Sequence, residues 1–202
     1  MKLYDLAAGS NPRRVRIYLA EKGIEVPSQP VDMMKRENEQ PEYRKINPFG
    51  KMPALELDDG TVLTESMAIC RYFEELNPEP PMFGRTPLEK AQVEMWNRRA
   101  ELNVLIPIAM CFQHTSDFWI GRLEQHKGWG ETSRANALAS MAIFDNHLKG
   151  REFVASDDYT VADITLQCGI LLGKGVALKI PEELENLTAW WGRVTSRPTA
   201  RA

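Results

Sequence analysis

Cysteine is scarce in this chain. Its three residues, Cys70, Cys111 and Cys168, are too few and too far apart for a disulfide framework or a Cys-x-x-Cys redox motif. A reducing cytoplasm is the simplest home for such a sequence. No apolar run approaches ~18 residues, so no membrane-spanning helix is expected. Met1 leads directly into a strand pattern, with no signal-peptide core ahead of it. The clustered basic face that nucleic acid or an anionic membrane would require is also missing. The 25 basic residues are scattered, apart from pairs such as Arg13-Arg14 and Arg98-Arg99, and 28 acidic residues outweigh them to a net charge of −3. Of the three histidines, His114, His126 and His147, none has a companion at metal-ligand spacing, so no metal site is expected. What remains is ordinary globular material, 43% hydrophobic and 26% charged, enough for one large or two small domains.

Residues 2–6 read as a first strand and residues 7–10 as a loop of small residues. Asn11-Pro12 then has the chemistry of a helix start, with Asn11 as N-cap and proline at the first helical position. Val15, Tyr18 and Leu19 supply the apolar face, and Lys22-Gly23 a basic last turn and a glycine cap. Residues 29–32 read as a second strand. Residues 33–43 are polar and weakly patterned, a loop with a short helix. Two short apolar runs follow, 54–57 and 62–63, separated by Asp58-Asp59-Gly60, which has the makeup of a hairpin turn. Pro53 stands at a strand entrance, where a missing N–H is tolerated. After Thr64 the period changes, with Ile69, Phe73 and Leu76 at i, i+4 and i+7 of a helix. One strand–helix–strand crossover plus an antiparallel hairpin is a thioredoxin-like α+β arrangement.

The second half reads as all helix, with no strand pattern after residue 63. Residues 77–87 are proline-rich and read as a linker. Thr86-Pro87-Leu88-Glu89 is a capping-box helix start. The helix pattern continues to Cys111 with Leu88, Ala91, Met95, Leu102 and Leu105 on one face, and Pro107 is expected to kink or end it. Residues 117–130 carry Phe118, Trp119 and Trp129 without a clear period. Residues 131–149 form a helix with Ala137, Met141, Phe144 and Leu148 aligned, stopped by Gly150. Thr160-Val161-Ala162-Asp163 is a second capping box, opening a helix with Ile164, Cys168, Leu171 and Leu172. Leu187, Trp190 and Val194 mark the last helix. Cys70 and Cys168 fall on apolar faces and read as core filler. The expected division is 1–78 for the first domain, 79–87 for the linker and 88–202 for the helical domain.

The stretch from Asn47 to Glu75 carries the functional signal. A proline-led hairpin feeds a helix that opens with Glu65-Ser66, where free N–H groups and the positive end of the helix dipole attract anions. Taken singly, Glu65-Ser66, and equally Ser10 or Asn11, are common helix caps. Taken together, and with the capping box at Thr160, they closely resemble the cytosolic glutathione S-transferases of bacterial type, over nearly the whole chain.

That resemblance implies a specific site. Pro53 would be cis, and Met52 would offer its backbone N–H and C=O to the cysteinyl part of glutathione. Glu65 would meet the α-ammonium of the γ-glutamyl group, Ser66 the neighbouring carboxylate, and Lys51 the glycyl carboxylate. The activating residue would be Ser10, a hydrogen-bond donor to the bound thiolate, with Asn11 as its rival. Related bacterial proteins that share the Met-Lys-Leu-Tyr opening carry cysteine at position 10. Asn103, Pro107, Met110, Cys111 and His114 would line the pocket for the acceptor, with Phe118 and Trp119 adding apolar wall. Glutathione would be the co-substrate, a small electrophile the acceptor, and a homodimer the assembly. A free thiol ionises near ~8.5. Lowering that by ~2 units stabilises the anion by ~2.7 kcal/mol, which a donor and a helix N-terminus together can supply. Glutathione-dependent reduction of peroxides or disulfides, and a non-catalytic glutathione-binding module related to stress, are the alternatives.

Overall fold

The structure is a computed structural model that describes residues 1–202. It divides into two compact units, Met1–Pro80 with Arg201–Ala202, and Pro81–Ala200. No helix is long and apolar enough to cross a membrane.

The first unit runs β1 (Lys2–Asp5), α1 (Ser10–Lys22), β2 (Ser28–Pro30), α2 (Pro41–Ile46), β3 (Ala54–Glu56), β4 (Val62–Thr64) and α3 (Ser66–Leu76). The four strands form one sheet in the order β2-β1-β3-β4. β2 is parallel to β1, and β3 is antiparallel to both of its neighbours. Both faces of the central pair are buried, because Leu3 opposes Leu55 on one face while Tyr4 opposes Ala54 on the other. Tyr4 and Ala54 belong to a small core with Val31, Tyr43 and Met52. α1 and α3 pack on each other, and α3 also on β3 and β4. On α3 the buried residues are Ser66, Ile69, Cys70, Phe73 and Glu74, while Leu76 is exposed.

One local expectation changes. Gly9, not Asn11, is the N-cap of α1, so Ser10 and Asn11 occupy its first two positions and Pro12 the third. A side chain at residue 9 would press within 2.9 Å of the Pro12 ring and 3.1 Å of the Leu6 carbonyl, so glycine alone fits there. Lys22 and Gly23 close α1 as expected, and the Lys22 ammonium also reaches across to α3. It contacts the Glu74 carboxylate at 2.6 Å and donates to the carbonyls of Asn77 (2.7 Å) and Pro80 (2.5 Å). The Tyr18 hydroxyl donates to the same carboxylate at 2.7 Å. The Lys22 side chain is fully enclosed, and losing one partner of such a buried pair costs about 3–5 kcal/mol.

The second unit is helical: α4 (Pro87–Ala100), α5 (Ile106–Thr115), α6 (Lys127–Leu148), α7 (Val161–Leu172) and α8 (Glu185–Thr195), with short 3-10 turns between. Thr86 caps α4 by accepting from the Glu89 N–H at 3.2 Å, while the Glu89 carboxylate turns to the Arg85 N–H. Pro107 does not end the rod. A π turn over Glu101–Leu105 joins α4 to α5, absorbing the hydrogen bond that Pro107 lacks a donor to make. The expected apolar face is corrected too. Leu88, Met95 and Leu102 are exposed, and the buried face is Val93, Asn97, Ala100, Val104 and Leu105. α7 is buried from Val161 to Ile170, all the way round, as befits the centre of a bundle.

Asp163 ties this unit together. Its carboxylate accepts from the Val154 N–H (2.9 Å), the Trp190 indole (2.9 Å), the Thr160 N–H (3.0 Å) and the Thr160 hydroxyl (3.2 Å). One side chain thus joins the loop before α7, the cap of α7, and α8. Burial pushes this carboxyl above its ordinary 3.8, against the pull of the donors. A group raised on folding gives its full share of stability below its unfolded value and loses it as pH climbs through the folded one. The stability advantage of the wild type over Asp163→Asn is therefore expected to narrow from pH 4 upward, read from urea midpoints across pH. Asp163→Ala, which strands four donors, should cost about 3 kcal/mol or more at every pH.

Candidate active site

The sheet register brings the three pieces of the site together. Tyr4 lies opposite Ala54, and Ala54 opposite Thr64. The end of β1, the start of β3 and the end of β4 therefore share one edge of the sheet. From that edge leave the loop to Ser10, the Met52-Pro53 segment and the Glu65-Ser66 turn. Lys51 lies on the same approach, its side chain exposed.

The Met52-Pro53 peptide is cis. The backbone before it is clamped by buried or half-buried polar groups. The Tyr43 hydroxyl and the Asn47 amide both donate to the Lys51 carbonyl, at 2.8 and 2.7 Å, and the Asn38 amide donates to the Gly50 carbonyl at 3.0 Å. Burial pushes the Tyr43 phenol up to about 12, so it stays a donor at neutral pH. Gly50 has φ +62°, and a Cβ there would meet the Asn38 carbonyl at 2.7 Å. With its neighbours so engaged, Met52 is only 8% exposed, yet its own N–H and C=O make no bond within the chain. A backbone donor and acceptor side by side and unpaired suit an extended peptide ligand.

α3 begins without a side-chain cap and has no acidic residue in its first turn. Its first internal bond runs from the Ile69 N–H to the Glu65 carbonyl at 3.0 Å. Ser66 is buried at 5% exposure, whereas Glu65 is exposed with φ 65° and ψ 115°. A non-glycine residue held there stores about 1–3 kcal/mol, and such strain gathers at ligand clamps. The sequence offers no sign of this strain.

α1 also starts uncapped by any side chain. The Ser10 hydroxyl has no partner in the chain. Asn11 does: its side-chain carbonyl accepts from the Arg14 guanidinium at 3.1 Å. Arg14 is 1% exposed, and neighbouring Arg13 has a buried Nε that no acceptor meets. Sequence reading missed Arg14, Tyr43, Asn47 and Asn38 as supports of the site. For Arg14 the signal is its i+3 spacing from Asn11. Tyr4, another hydroxyl nearby, is spent on Glu56 at 2.7 Å.

The acceptor-pocket candidates lie in the second unit and do not all behave alike. Pro107, Met110 and His114 share one half-exposed face of α5. Asn103 sits in the π turn, exposed, its amide donating to the Arg99 carbonyl at 3.0 Å. Cys111 is fully buried beside the Thr115 hydroxyl and presents no surface to a ligand. Phe118 stacks on Phe112, and Trp119 meets both rings edge-to-face, in an aromatic cluster at the end of α5.

A four-stranded thioredoxin-like unit carrying this edge site, followed by an all-helical unit built on a Thr-x-x-Asp capping box, is the glutathione S-transferase fold. Residues 9–76 match the family described as Glutathione S-transferase, N-terminal domain, and residues 106–198 the one described as Glutathione S-transferase, C-terminal domain. The chain is 41% identical over 205 residues to Glutathione S-transferase 2 of Saccharomyces cerevisiae, spanning 100% of this chain and 88% of that protein. It resembles the crystal structure of Gtt2 from the same yeast with a TM-score of 0.95 at 41% identity, covering 100% and 99% of the two chains. A class Gtt2 glutathione S-transferase of Vibrio parahaemolyticus aligns with a TM-score of 0.88 at 33% identity, covering 100% and 96%. The chain belongs to the glutathione S-transferase family.

The strain at Glu65 has a measurable consequence. Glu65→Gly is expected to hold or raise the urea midpoint, by up to ~1 kcal/mol, because glycine adopts positive φ freely and is a tolerable N-cap. A drop in stability of the size expected for a lost helix cap would show that Glu65 is not strained.

Proposed function

We propose that this chain is a glutathione S-transferase whose first unit binds glutathione along the sheet edge and activates its thiol for attack on a small electrophile. The observation that carries this reading is the unpaired backbone of Met52, flanked by two uncapped helix N-termini. Its N–H and C=O match the backbone groups of the cysteinyl residue, as a short strand would. Glu65 takes the α-ammonium, Ser66 the adjacent carboxylate and Lys51 the glycyl carboxylate. The sulfur then lies by the first turn of α1, where Ser10 and Asn11 are the available donors. The thiol loses its proton to solvent, and the thiolate attacks an electrophilic carbon. A carbon–sulfur bond forms as the leaving group departs with its electron pair. Pro107, Met110 and His114 are the acceptor-facing residues in this reading. All three cysteines are buried, which disfavours thiol exchange through the enzyme itself.

The assembly in this reading is a homodimer, the first domain of one subunit packing on the second of the other. Exposed apolar groups support it. Phe49 is 74% exposed in the first unit, and Leu88, Met95 and Leu102 repeat every seven residues along the second at 69%, 40% and 49%. Scattered exposed apolar residues are ordinary, but a heptad-spaced stripe is an interface pattern. Replacing Met95 and Leu102 together by glutamate is expected to give a folded monomer by sedimentation, with the far-UV spectrum unchanged. A dimer of undiminished affinity would remove this stripe from the interface.

The direct test is glutathione titration by calorimetry. Glu65→Ala and Ser66→Ala should each weaken binding by ~1.5–3 kcal/mol, the scale of charge-assisted hydrogen bonds. Affinity retained in both variants would rule out the site.

A further inference from the structure

We propose that Arg14 is a positioning residue that fixes the Asn11 amide with its N–H groups outward, making Asn11 the principal donor to the glutathione thiolate. This inference rests on the transferase reading and assigns a role that the reading leaves open between two neighbouring residues.

The argument starts from donor inventory. A guanidinium has N–H donors only and no acceptor. The Asn11 atom that faces Arg14 at 3.1 Å must therefore be the carbonyl oxygen. The planar amide then carries its NH2 on the opposite side, away from Arg14, and that NH2 makes no bond within the chain. Arg14 is 1% exposed, so it cannot swing out and release the amide. Both residues lie in the first turns of one helix, three positions apart, where side chains are neighbours. Asn11 is thus a fixed donor before any ligand arrives, and fixed donors stabilise a developing anion without reorganisation. Ser10 lacks such a support. Its hydroxyl rotates freely and accepts as readily as it donates.

The charges around this turn favour an anion. Arg13 and Arg14 lie on α1 itself, and a guanidinium keeps its charge at any working pH. Arg16 is held by Asp5 of β1 at 2.5 Å. Lys22 and Glu74 pair at the far end of α1 and α3. The carboxylate at the head of α3 is Glu65, assigned to the ligand's ammonium.

The test measures the thiolate fraction of bound glutathione by ultraviolet absorbance across pH, with glutathione affinity measured alongside by calorimetry. Asn11→Ala is expected to leave about tenfold less thiolate at pH 7 while changing glutathione affinity less than threefold. Asn11→Asp keeps an acceptor for Arg14, and so keeps the fold, but offers no donor. Its thiolate loss should be at least as large. Arg14→Lys keeps the charge without the planar fork and should reduce thiolate in wild type but add little in the Asn11→Ala background. A purely structural Arg14 would lower stability with no such coupling. Ser10→Ala should cost less thiolate than Asn11→Ala. The reverse order, or an unchanged titration in Asn11→Asp, overturns the assignment while leaving the transferase reading intact. Wild-type protein that binds glutathione without depressing its thiol pKa, or does not bind it, overturns both.

Discussion

The site depends on one constraint, the antiparallel register that sets Tyr4 against Ala54 and Ala54 against Thr64. A slip of one residue would turn the inward-facing side chains of β3 outward. It would also move Met52 away from the loop that leads to Ser10. The register is held by packing on both faces, with Leu3 and Leu55 on one side and Tyr4, Ala54, Val31 and Tyr43 on the other. The loop pieces need no long-range contacts of their own to converge. They are the continuations of strands that already end together.

Around this edge, polar groups hold the backbone still and leave the Met52 backbone N–H and C=O unpaired. Tyr43 and Asn47 share the Lys51 carbonyl, Asn38 holds Gly50, and Arg14 holds the carbonyl of Asn11. Each bond is modest, about 1 kcal/mol net. Their joint effect is that the backbone leading to Met52 and the Asn11 amide are held within the chain itself. Binding then loses less free energy to ordering the protein.

Much of this was legible in the sequence, and the misses have physical causes. The hairpin at Asp58-Asp59-Gly60, the Thr86 N-cap, the capping box at Thr160, and the aligned Ala137, Met141, Phe144 and Leu148 are local patterns that tertiary packing did not override; only the Glu89 half of the box expected at Thr86 is diverted, to the Arg85 N–H. The α4 face was misread because an apolar stripe meant for the outside has the same period as one meant for the core. Its true core face hides Asn97, which accepts from the buried Thr165 hydroxyl at 2.6 Å, behind a polar name. α7 shows the converse difficulty, since a helix buried on all sides has no period to read. The candidate site residues were proposed from types and spacings. Glu65's positive φ, Arg14's burial and the clamps on residues 50 and 51 were not legible, because each depends on partners distant in sequence or on backbone angles.

The helices α1 and α3 explain how an unpaired, strained edge is tolerated. α1 and α3 pack together, and both present N-termini at the site, uncapped by side chains. At their C-termini the opposite holds. Lys22, in the last turn of α1, engages Glu74 and also the Asn77 and Pro80 carbonyls beyond α3, while Tyr18 donates to the same carboxylate. A cation at the negative ends of two helices is where the dipoles favour it. At 1.5 Å per residue this lock lies ~18 Å along α1 from Ser10. It can therefore fix the helices while leaving their N-termini open. The buried lock holds one end of the pair and the uncapped N-termini lie at the other, so an unpaired Met52 backbone and a strained Glu65 can persist in a folded protein.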